Sequence, residues 1–369
     1  MRIHQISLEN FRNYEKFTAE FDDSINLFLG DNAQGKTNFL EAITVLSLAK
    51  SFRTSDHSSL IGWDKDFLRI KGVATKNSDE INLEFFAGNS AADSASSRKN
   101  VKKSLKKNGI SVPVKDFIGA INIVLFHPED LNMLYLSPSL RRKYLNTLLS
   151  QIDPEYFECL VNYNRILKQR NKLLALIVDG KAKKNELSSW DVGLAENGLY
   201  VQKKRKDYVE FLNTYLIKNY KLISNIEHNI KVKYHSTIDM LEPSVENYSV
   251  ILDLARDADL RYRKTEKGIH RDDLHIFFDN HHISEFASRG EIRTLLIALK
   301  LAEIEFIENF TGEKPVLLLD DVFSELDKSR QNFLLNAISG FQSFISATHL
   351  DFPLDGAKKF NISTGNITR

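Results

Sequence analysis

The sequence predicts an α/β fold assembled from the two ends of the chain, with an α-helical domain inserted between them. Three observations carry this reading. The apolar run Ile25–Leu29 leads into a glycine-bearing loop, and apolar residues at helical spacing follow. A second apolar run, from Val316 to Leu319, ends in two aspartates. Between these, from Pro138 to about Leu222, the apolar spacing is that of long helices.

Composition sets the outer limits. The chain has 369 residues, enough for about two or three domains and a full core. Hydrophobic residues make up 42% and charged residues 27%, which excludes collagen-like, disordered and disulfide-scaffold classes. Lys+Arg is 50 and Asp+Glu is 49, so the net charge of +1 gives no general affinity for nucleic acid and any basic surface is local. Cys159 is the sole cysteine, so no intrachain disulfide forms, which suits a reducing compartment. The first ten residues lack the apolar core of a signal peptide, and the apolar runs are too short to span a bilayer. These features predict a soluble, cytoplasmic protein.

The elements follow in order. A strand, a turn and a second strand precede Ile25. Over 38–48, Phe39, Leu40, Ile43 and Leu46 recur at helical spacing. Short β-type runs occupy 67–74 and 81–86. Residues 88–97, rich in Ser, Ala and Asn, read as a mobile hairpin loop. Residues 98–107 hold six basic residues and no acid, and read as a solvated strand closed by the turn pair Asn108-Gly109. Pro154 opens a helix that reaches Ile177, with Gly180 just past its end. After a polar turn a second helix runs through Leu194, Leu199, Tyr208, Leu212 and Leu216. The two make an antiparallel hairpin with arms of about 35–50 Å at 1.5 Å per residue. No heptad pattern is sustained, which excludes long coiled-coil arms. Strand and helix then alternate again: strand 274–278, helix 292–309, strand 316–319, helix 328–338 and strand 344–347.

The strongest motif is Gly30-Asp31-Asn32-Ala33-Gln34-Gly35-Lys36-Thr37, which matches G-x-x-x-x-G-K-[ST]. Its glycines let the backbone curl so that N–H groups face a phosphate, and the helix that begins there adds its positive end. Lys36 reaches the β- and γ-phosphates, and the Thr37 hydroxyl ligates Mg²⁺. With Asn38 in the first helical turn, these residues form the candidate nucleotide-binding set. Asp320 and Asp321 end their strand at the carboxyl edge of a parallel sheet, where nucleotides bind. Asp320 is placed to hold Mg²⁺ through Thr37 and water, and Asp321 to activate a water. Thr37 and Asp320 are 283 residues apart, so one site is built from both ends of the chain.

Ser288-Arg289-Gly290-Glu291 precedes a helix. Alone, Ser288 or Gly290 is an ordinary helix cap. Between the phosphate loop and the paired aspartates, the segment reads as an anion-binding corner and the second half of a nucleotide sandwich. Asp327, in Ser324-Glu325-Leu326-Asp327, is a ready N-cap. His349 follows a strand expected beside the aspartate strand, within reach of a γ-phosphate.

This order resembles the ATP-binding-cassette superfamily, and the opening Leu8-Glu9-Asn10-Phe11-Arg12-Asn13-Tyr14 is similar to its SMC-like branch. Phe126-His127-Pro128-Glu129-Asp130-Leu131, Arg141-Arg142, Gln169-Arg170-Asn171 and Gly268-Ile269-His270-Arg271-Asp272-Asp273-Leu274 narrow the resemblance to the RecF family of recombination mediators, over nearly the whole chain. It implies an α/β, ABC/SMC-like P-loop ATPase head with an inserted α-helical hairpin domain. The expected boundaries are 1–136 for the P-loop part, 137–224 for the insertion, and 225–369 for the part with the signature and paired aspartates. It implies ATP and Mg²⁺ as cofactors, catalytic roles for Lys36, Asp321 and His349, and a nucleotide contact from Arg12. It further implies a homodimer formed on ATP, in which Ser288 and Gly290 close on the partner's nucleotide. The implied setting is DNA at single-strand gaps, with RecR and RecO assisting the loading of RecA. The sequence departs from the pattern at Arg289, at Glu291 and at Asp321, where most cassette ATPases carry Glu. No glutamine stands near 126–131.

Charge by segment bears on DNA. Residues 137–235 hold 18 basic and 10 acidic residues, a net +8 against −7 for the rest. Lys168-Arg170-Lys172, Lys181-Lys183-Lys184 and Lys203-Lys204-Arg205-Lys206 suit phosphates rather than bases. There is no zinc-binding Cys/His set and no aromatic stacking platform legible in the sequence, so recognition is expected to be sequence-nonspecific. A nucleotide-binding scaffold with little turnover, and an SMC-like ATPase of a defence system, stay open on these residues.

Overall fold

The computed structural model describes residues 1–89, 101–226, 228–349, 354, 356–363 and 366–368. Most of the expected hairpin loop, 90–97, and the basic residues Arg98 and Lys99 lie outside them. The chain divides into two compact units, Met1–Asp130 with Leu296–Arg369, and Leu131–Leu295.

The first unit holds two six-stranded sheets. One is antiparallel and runs Tyr14–Glu20, Arg2–Phe11, Phe67–Lys76, Asp79–Asn89, Val101–Lys107, Ile110–Ser111. The other runs Asn366–Thr368, Lys358–Ser363, Ile25–Leu29, Ser343–Ala347, Val316–Asp320, Ile123–Phe126, and is parallel except at its first pair. Val316–Asp320 and Ser343–Ala347 are buried along their whole length, as expected for parallel strands covered on both faces. The expected adjacency of these two strands is present.

One helix, Lys36–Leu48, joins the core of both sheets. Eleven of its 13 residues are buried. Phe39 stacks on Phe28 with ring centroids 4.5 Å apart, and Phe28 stacks on Phe360 at 4.9 Å. On the antiparallel sheet, Leu8, Ile70, Leu83 and Phe85 belong to the same buried cluster as Leu40, Ile43 and Leu46. Burying such side chains is worth roughly 1.5–3 kcal/mol each, so the helix start is fixed by packing well beyond the strength of any single cap.

The second unit is larger than the expected insertion at 137–224. Residues 225–295, assigned by the sequence to the C-terminal part of the ATPase head, count with it. The reason is a three-stranded antiparallel sheet of Ile230–His235, Asp273–Phe278 and His281–His282. Its apolar face, with Ile230, Val232, Leu274, Ile276 and Phe278, is buried. The Asn213 side chain, on helix Ser188–Ser224, bonds both the Val232 carbonyl (2.9 Å) and the Val232 N–H (2.8 Å).

The helical hairpin consists of Pro154–Val178 and Ser188–Ser224. The second helix has 37 residues, about 55 Å, longer than the expected arm. Its polar first turns stay helical because Asp191 is held there: Arg170 Nε lies 2.7 Å and Arg256 Nη2 2.9 Å from its carboxylate. Arg170 is fully buried and also bonds Asp259 (2.6 Å) and Thr265 (2.8 Å). Arg205 is buried too, on the Ile269 carbonyl (2.8 Å), Asn146 (2.9 Å) and the Tyr156 hydroxyl (3.2 Å). Lys204 pairs with Asp153 at 3.0 Å. Arg170, Arg205 and Lys204 therefore leave the expected phosphate-binding clusters, and Lys168, Lys172, Lys181, Lys183, Lys184 and Lys203 are the members that stay exposed. Among the described residues, no helix is long and apolar enough to cross a membrane.

Arg170→Ala removes the cation paired with buried Asp259 and one of the two paired with Asp191. It should lower stability by about 3–5 kcal/mol, the scale for breaking a buried pair, read as a lowered urea midpoint for the full chain. An unchanged midpoint would show that Asp191 and Asp259 do not depend on Arg170.

Candidate nucleotide-binding site

The parallel sheet decides where the chemistry gathers. Its strands leave from one edge, so the segments after Ile25–Leu29, Ile123–Phe126, Val316–Asp320 and Ser343–Ala347 meet there. These are the G-x-x-x-x-G-K-T loop, His127, Asp321 and Thr348–His349.

The loop takes its curl from left-handed backbone at Ala33 (φ 67°) and Gly35 (φ 119°). A Cβ on Gly35 would stand 2.6 Å from the Asn13 amide nitrogen. Asn13 donates to the Gln34 carbonyl at 2.9 Å, and the Tyr14 hydroxyl to the Gly35 carbonyl at 3.0 Å. Burial pushes the Tyr14 phenol well above its usual range, so it serves as a neutral donor. The turn of the first hairpin thus clamps the back of the loop. Asp31, Asn32 and Ala33 are exposed.

Lys36 is buried, with Nζ on the carbonyls of Gly30 and Asp31 (2.8 Å to the latter). Burial pulls its ammonium pKa down, against the opposing pull of Asp321, Asp320 and Asp31. Thr37 Oγ1 donates to Asp320 Oδ1 at 2.8 Å, which joins the two ends of the chain across 283 residues. Ser346 Oγ donates to the same oxygen at 2.7 Å, and His127 Nε2 lies 3.5 Å from Asp320 Oδ2. The Thr37 hydroxyl and the Asp320 carboxylate are hard oxygens, the donor type that Mg²⁺ takes. Asp321 has left-handed backbone (φ 50°), with its N–H on the Ser346 carbonyl (3.1 Å) and hydroxyl (3.0 Å). Burial raises its carboxyl pKa, only partly offset by Ser324 and Lys36, which makes it a stronger base. Thr348 reaches the loop through Asn32 (3.0 Å), and His349 beside it is exposed.

Arg12, expected to contact the nucleotide, holds protein partners in this structure. Its guanidinium forks onto Glu41 (2.9 and 2.8 Å) and bonds the Ser59 carbonyl at 2.7 Å. Glu41 is fully buried in the loop's own helix and needs that countercharge, which Arg53 supplements at 3.5 Å. Arg53 also bonds the Asn38 side chain at 2.8 Å, and Asn38 bonds Asn13 at 2.8 Å. Glu41, Arg53, Ser346 and His127 carry no role in the sequence reading. The available signal was Glu41, the one acidic residue of its helix, set among apolar neighbours.

Ser288 and Gly290 belong to the second unit. There Glu291 closes a capping box on the helix Arg289–Thr311: the Ser288 N–H donates to Glu291 Oε2 (2.7 Å) and the Glu291 N–H to Ser288 Oγ (3.3 Å). Those bonds from Ser288 hold the Glu291 carboxyl below its usual pKa. Its other oxygen lies 3.7 Å from His228, which bonds Asp279 at 2.8 Å.

Comparison with known proteins agrees with this architecture. A protein-family model described as AAA ATPase domain matches residues 1–314. The DNA replication and repair protein RecF of Lachnospira eligens is 36% identical over all of this chain and 99% of its own length. That of Bacillus cereus is 37% identical over all of this chain and 98% of its own. The chain belongs to the RecF family. A solved structure described as the recombination mediator protein RecF-ATP in the RecFOR pathway covers 100% of this chain and 97% of its own, with 36% identity and a TM-score of 0.90. An Smc head domain from Pyrococcus furiosus, 16% identical with a TM-score of 0.54 over 100% of this chain and 95% of its own, shares the fold. The fold class read from the sequence, an ABC/SMC-like P-loop ATPase head with a helical insertion, is the one found in this RecF-family chain.

Gly35→Ala puts a side chain into left-handed backbone and against Asn13. At about 1–3 kcal/mol of strain, affinity for a fluorescent ATP analogue should fall roughly tenfold or more. Unchanged affinity would mean that the loop does not hold the phosphates in this shape.

Proposed function

We propose that this RecF-family chain is an ATP-dependent DNA-binding protein of recombinational repair and replication. The observation that carries the proposal is the Thr37–Asp320 bond, which completes one P-loop site from both ends of the chain. The curated relatives' role in DNA replication and repair supports its DNA-repair setting.

In this reading Gly30 to Asn38 cradle the ATP phosphates, with Lys36 turning from its loop carbonyls to the β- and γ-phosphates. Thr37 and, through water, Asp320 hold Mg²⁺, which when bound neutralises phosphate charge. Asp321 accepts a proton from the attacking water, and His349 approaches the γ-phosphate from the neighbouring strand end. Arg12 joins the site by sharing its guanidinium between Glu41 and a phosphate. A second copy of the chain supplies Ser288 and Gly290 at the γ-phosphate. Glu291 does not oppose this with a bare charge, because its carboxylate is used by Ser288 and faces His228. The ATP-bound homodimer holds DNA at single-strand gaps or duplex–single-strand junctions, and with RecR and RecO it assists the loading of RecA. Slow hydrolysis releases it, since Asp321 is one methylene shorter than the usual glutamate.

A second reading, a nucleotide-binding scaffold with little turnover, is favoured by that same aspartate. Phosphate release measured with and without DNA separates the two: DNA-stimulated release supports the first, and none supports the scaffold.

The molar mass in solution tests the sandwich. It should double on adding ATP and Mg²⁺ in the wild type and stay monomeric in Ser288→Arg and Lys36→Met. A mass that ignores ATP, or variants that dimerise like the wild type, would overturn it. Asp320→Asn should lower Mg²⁺ affinity in the ATP complex about 10–100-fold, the range for losing a group that orients metal ligands. ATP binding in EDTA should change little. Equal Mg²⁺ affinity in the variant would remove Asp320 from the metal site.

A further inference from the structure

The exposed face of the small sheet in the second unit carries a feature that the sequence does not show. Residues opposite one another on antiparallel strands share a face, and the register sets three rows. His235 faces Asp273, Lys233 faces His275, and Phe277 lies between Lys231 and His282. Of the alternate residues, Ile230, Val232, Leu274, Ile276 and Phe278 are buried and Tyr234 is half-buried, so the other rows look outward apart from the buried Asp273.

Four rings on that face form a continuous series. His235 and His275 stack with centroids 5.5 Å apart and planes 7° apart. His275 lies 5.4 Å from His282 and 6.4 Å from Phe277, and Phe277 lies 5.7 Å from His282. Lys231, Lys233 and His235 are exposed, and Phe277 is half-buried. Among the described residues of these rows the one carboxylate is Asp273, and Arg141 neutralises it through a fork of 2.7 and 2.8 Å. Burial lowers the His275 pKa against the opposing pull of Asp273, 3.2 Å from its Nε2, and the neighbouring His282 and His235 lower it further.

We propose that this face binds single-stranded DNA by stacking unpaired bases on Phe277 and the histidine rings, with Lys231 and Lys233 on the phosphates. The inference rests on the DNA-binding reading above and assigns the unpaired strand of a gap to a surface. Flat π-faces accept any base, and flanking lysines follow a backbone without reading sequence. A β-sheet that presents aromatic side chains between basic ones is a known solution for unstacked nucleotides. Lys233 Nζ now lies 5.1 Å from the Phe277 ring centre. A base that takes the ring displaces this ammonium, and a phosphate one nucleotide away receives it. Duplex DNA has no free base faces to offer, so its binding does not use these rings.

The test is fluorescence anisotropy on the full chain with ATP and Mg²⁺, using labelled oligo(dT) and a blunt-ended duplex. Phe277→Leu keeps the apolar volume and removes the ring. The double variant Lys231→Glu/Lys233→Glu changes only exposed side chains, so a loss there is not a folding effect. Both should weaken oligo(dT) binding about tenfold, within the range for one base–ring stack, and leave duplex affinity within about twofold. The lysine variant should also flatten the salt dependence on oligo(dT). Unchanged oligo(dT) affinity in both variants would overturn the proposal, as would equal losses on both probes or a wild type that does not bind oligo(dT). A wild type that binds oligo(dT) but no duplex would remove the duplex part of the functional reading and leave this surface standing.

Discussion

A single hydrogen bond, from the Thr37 hydroxyl to the Asp320 carboxylate, states the constraint on which the first unit is built. Asp320 ends one strand, Thr37 lies in the first turn of the helix that follows Ile25–Leu29, and those two strands are not neighbours. Ser343–Ala347 runs between them, and its Ser346 bonds the same carboxylate oxygen and the Asp321 N–H. Three parallel strands must therefore be in register to within one residue for the site to exist. That register is held by the ladder and by the Phe28, Phe39, Phe344 and Phe360 cluster beneath it. The chemistry at the sheet edge inherits its precision from an apolar core.

Charge is used in two different ways in this molecule. Inside, Glu41 with Arg12 and Asp191 with Arg170 are ionised groups that persist because each is paired. Outside, lysines on the helical hairpin and on the small sheet remain in solvent and are available to polyanions. Linear sequence mixes the two kinds. In Lys203-Lys204-Arg205-Lys206, Arg205 points into the unit while Lys203 faces solvent, because neighbours on a helix turn about 100° apart.

Two of the three departures in the nucleotide machinery, Glu291 and Asp321, have local explanations. Glu291 reads as a repulsive charge in a phosphate corner, yet it completes the cap of its own helix. Asp321 is held with left-handed backbone, which aspartate tolerates better than most residues. Its burial strengthens it as a base even though its reach is short.

Sequence alone determined the phosphate loop, the aspartate strand, the helical hairpin and the order in which they occur. Each is a local pattern: a glycine spacing, an apolar run of strand length, a 3.6-residue period. The strand Ile25–Leu29 and the helix after it carry their own signatures, so their bounds were nearly legible. Tertiary structure decided what those patterns touch. The strand Ile230–His235 mixes Lys and apolar residues and joins the second unit only because Asn213 and the helices cover one of its faces. The ring series from His235 to His282 arises from residues up to 47 positions apart. Whether Arg12 meets Glu41, or Arg170 meets two aspartates, depends on distances set by packing between segments far apart in the chain. A one-dimensional pattern records which face a side chain occupies. It does not record the partner across the gap, and that partner decides whether a charge is structural or free to bind.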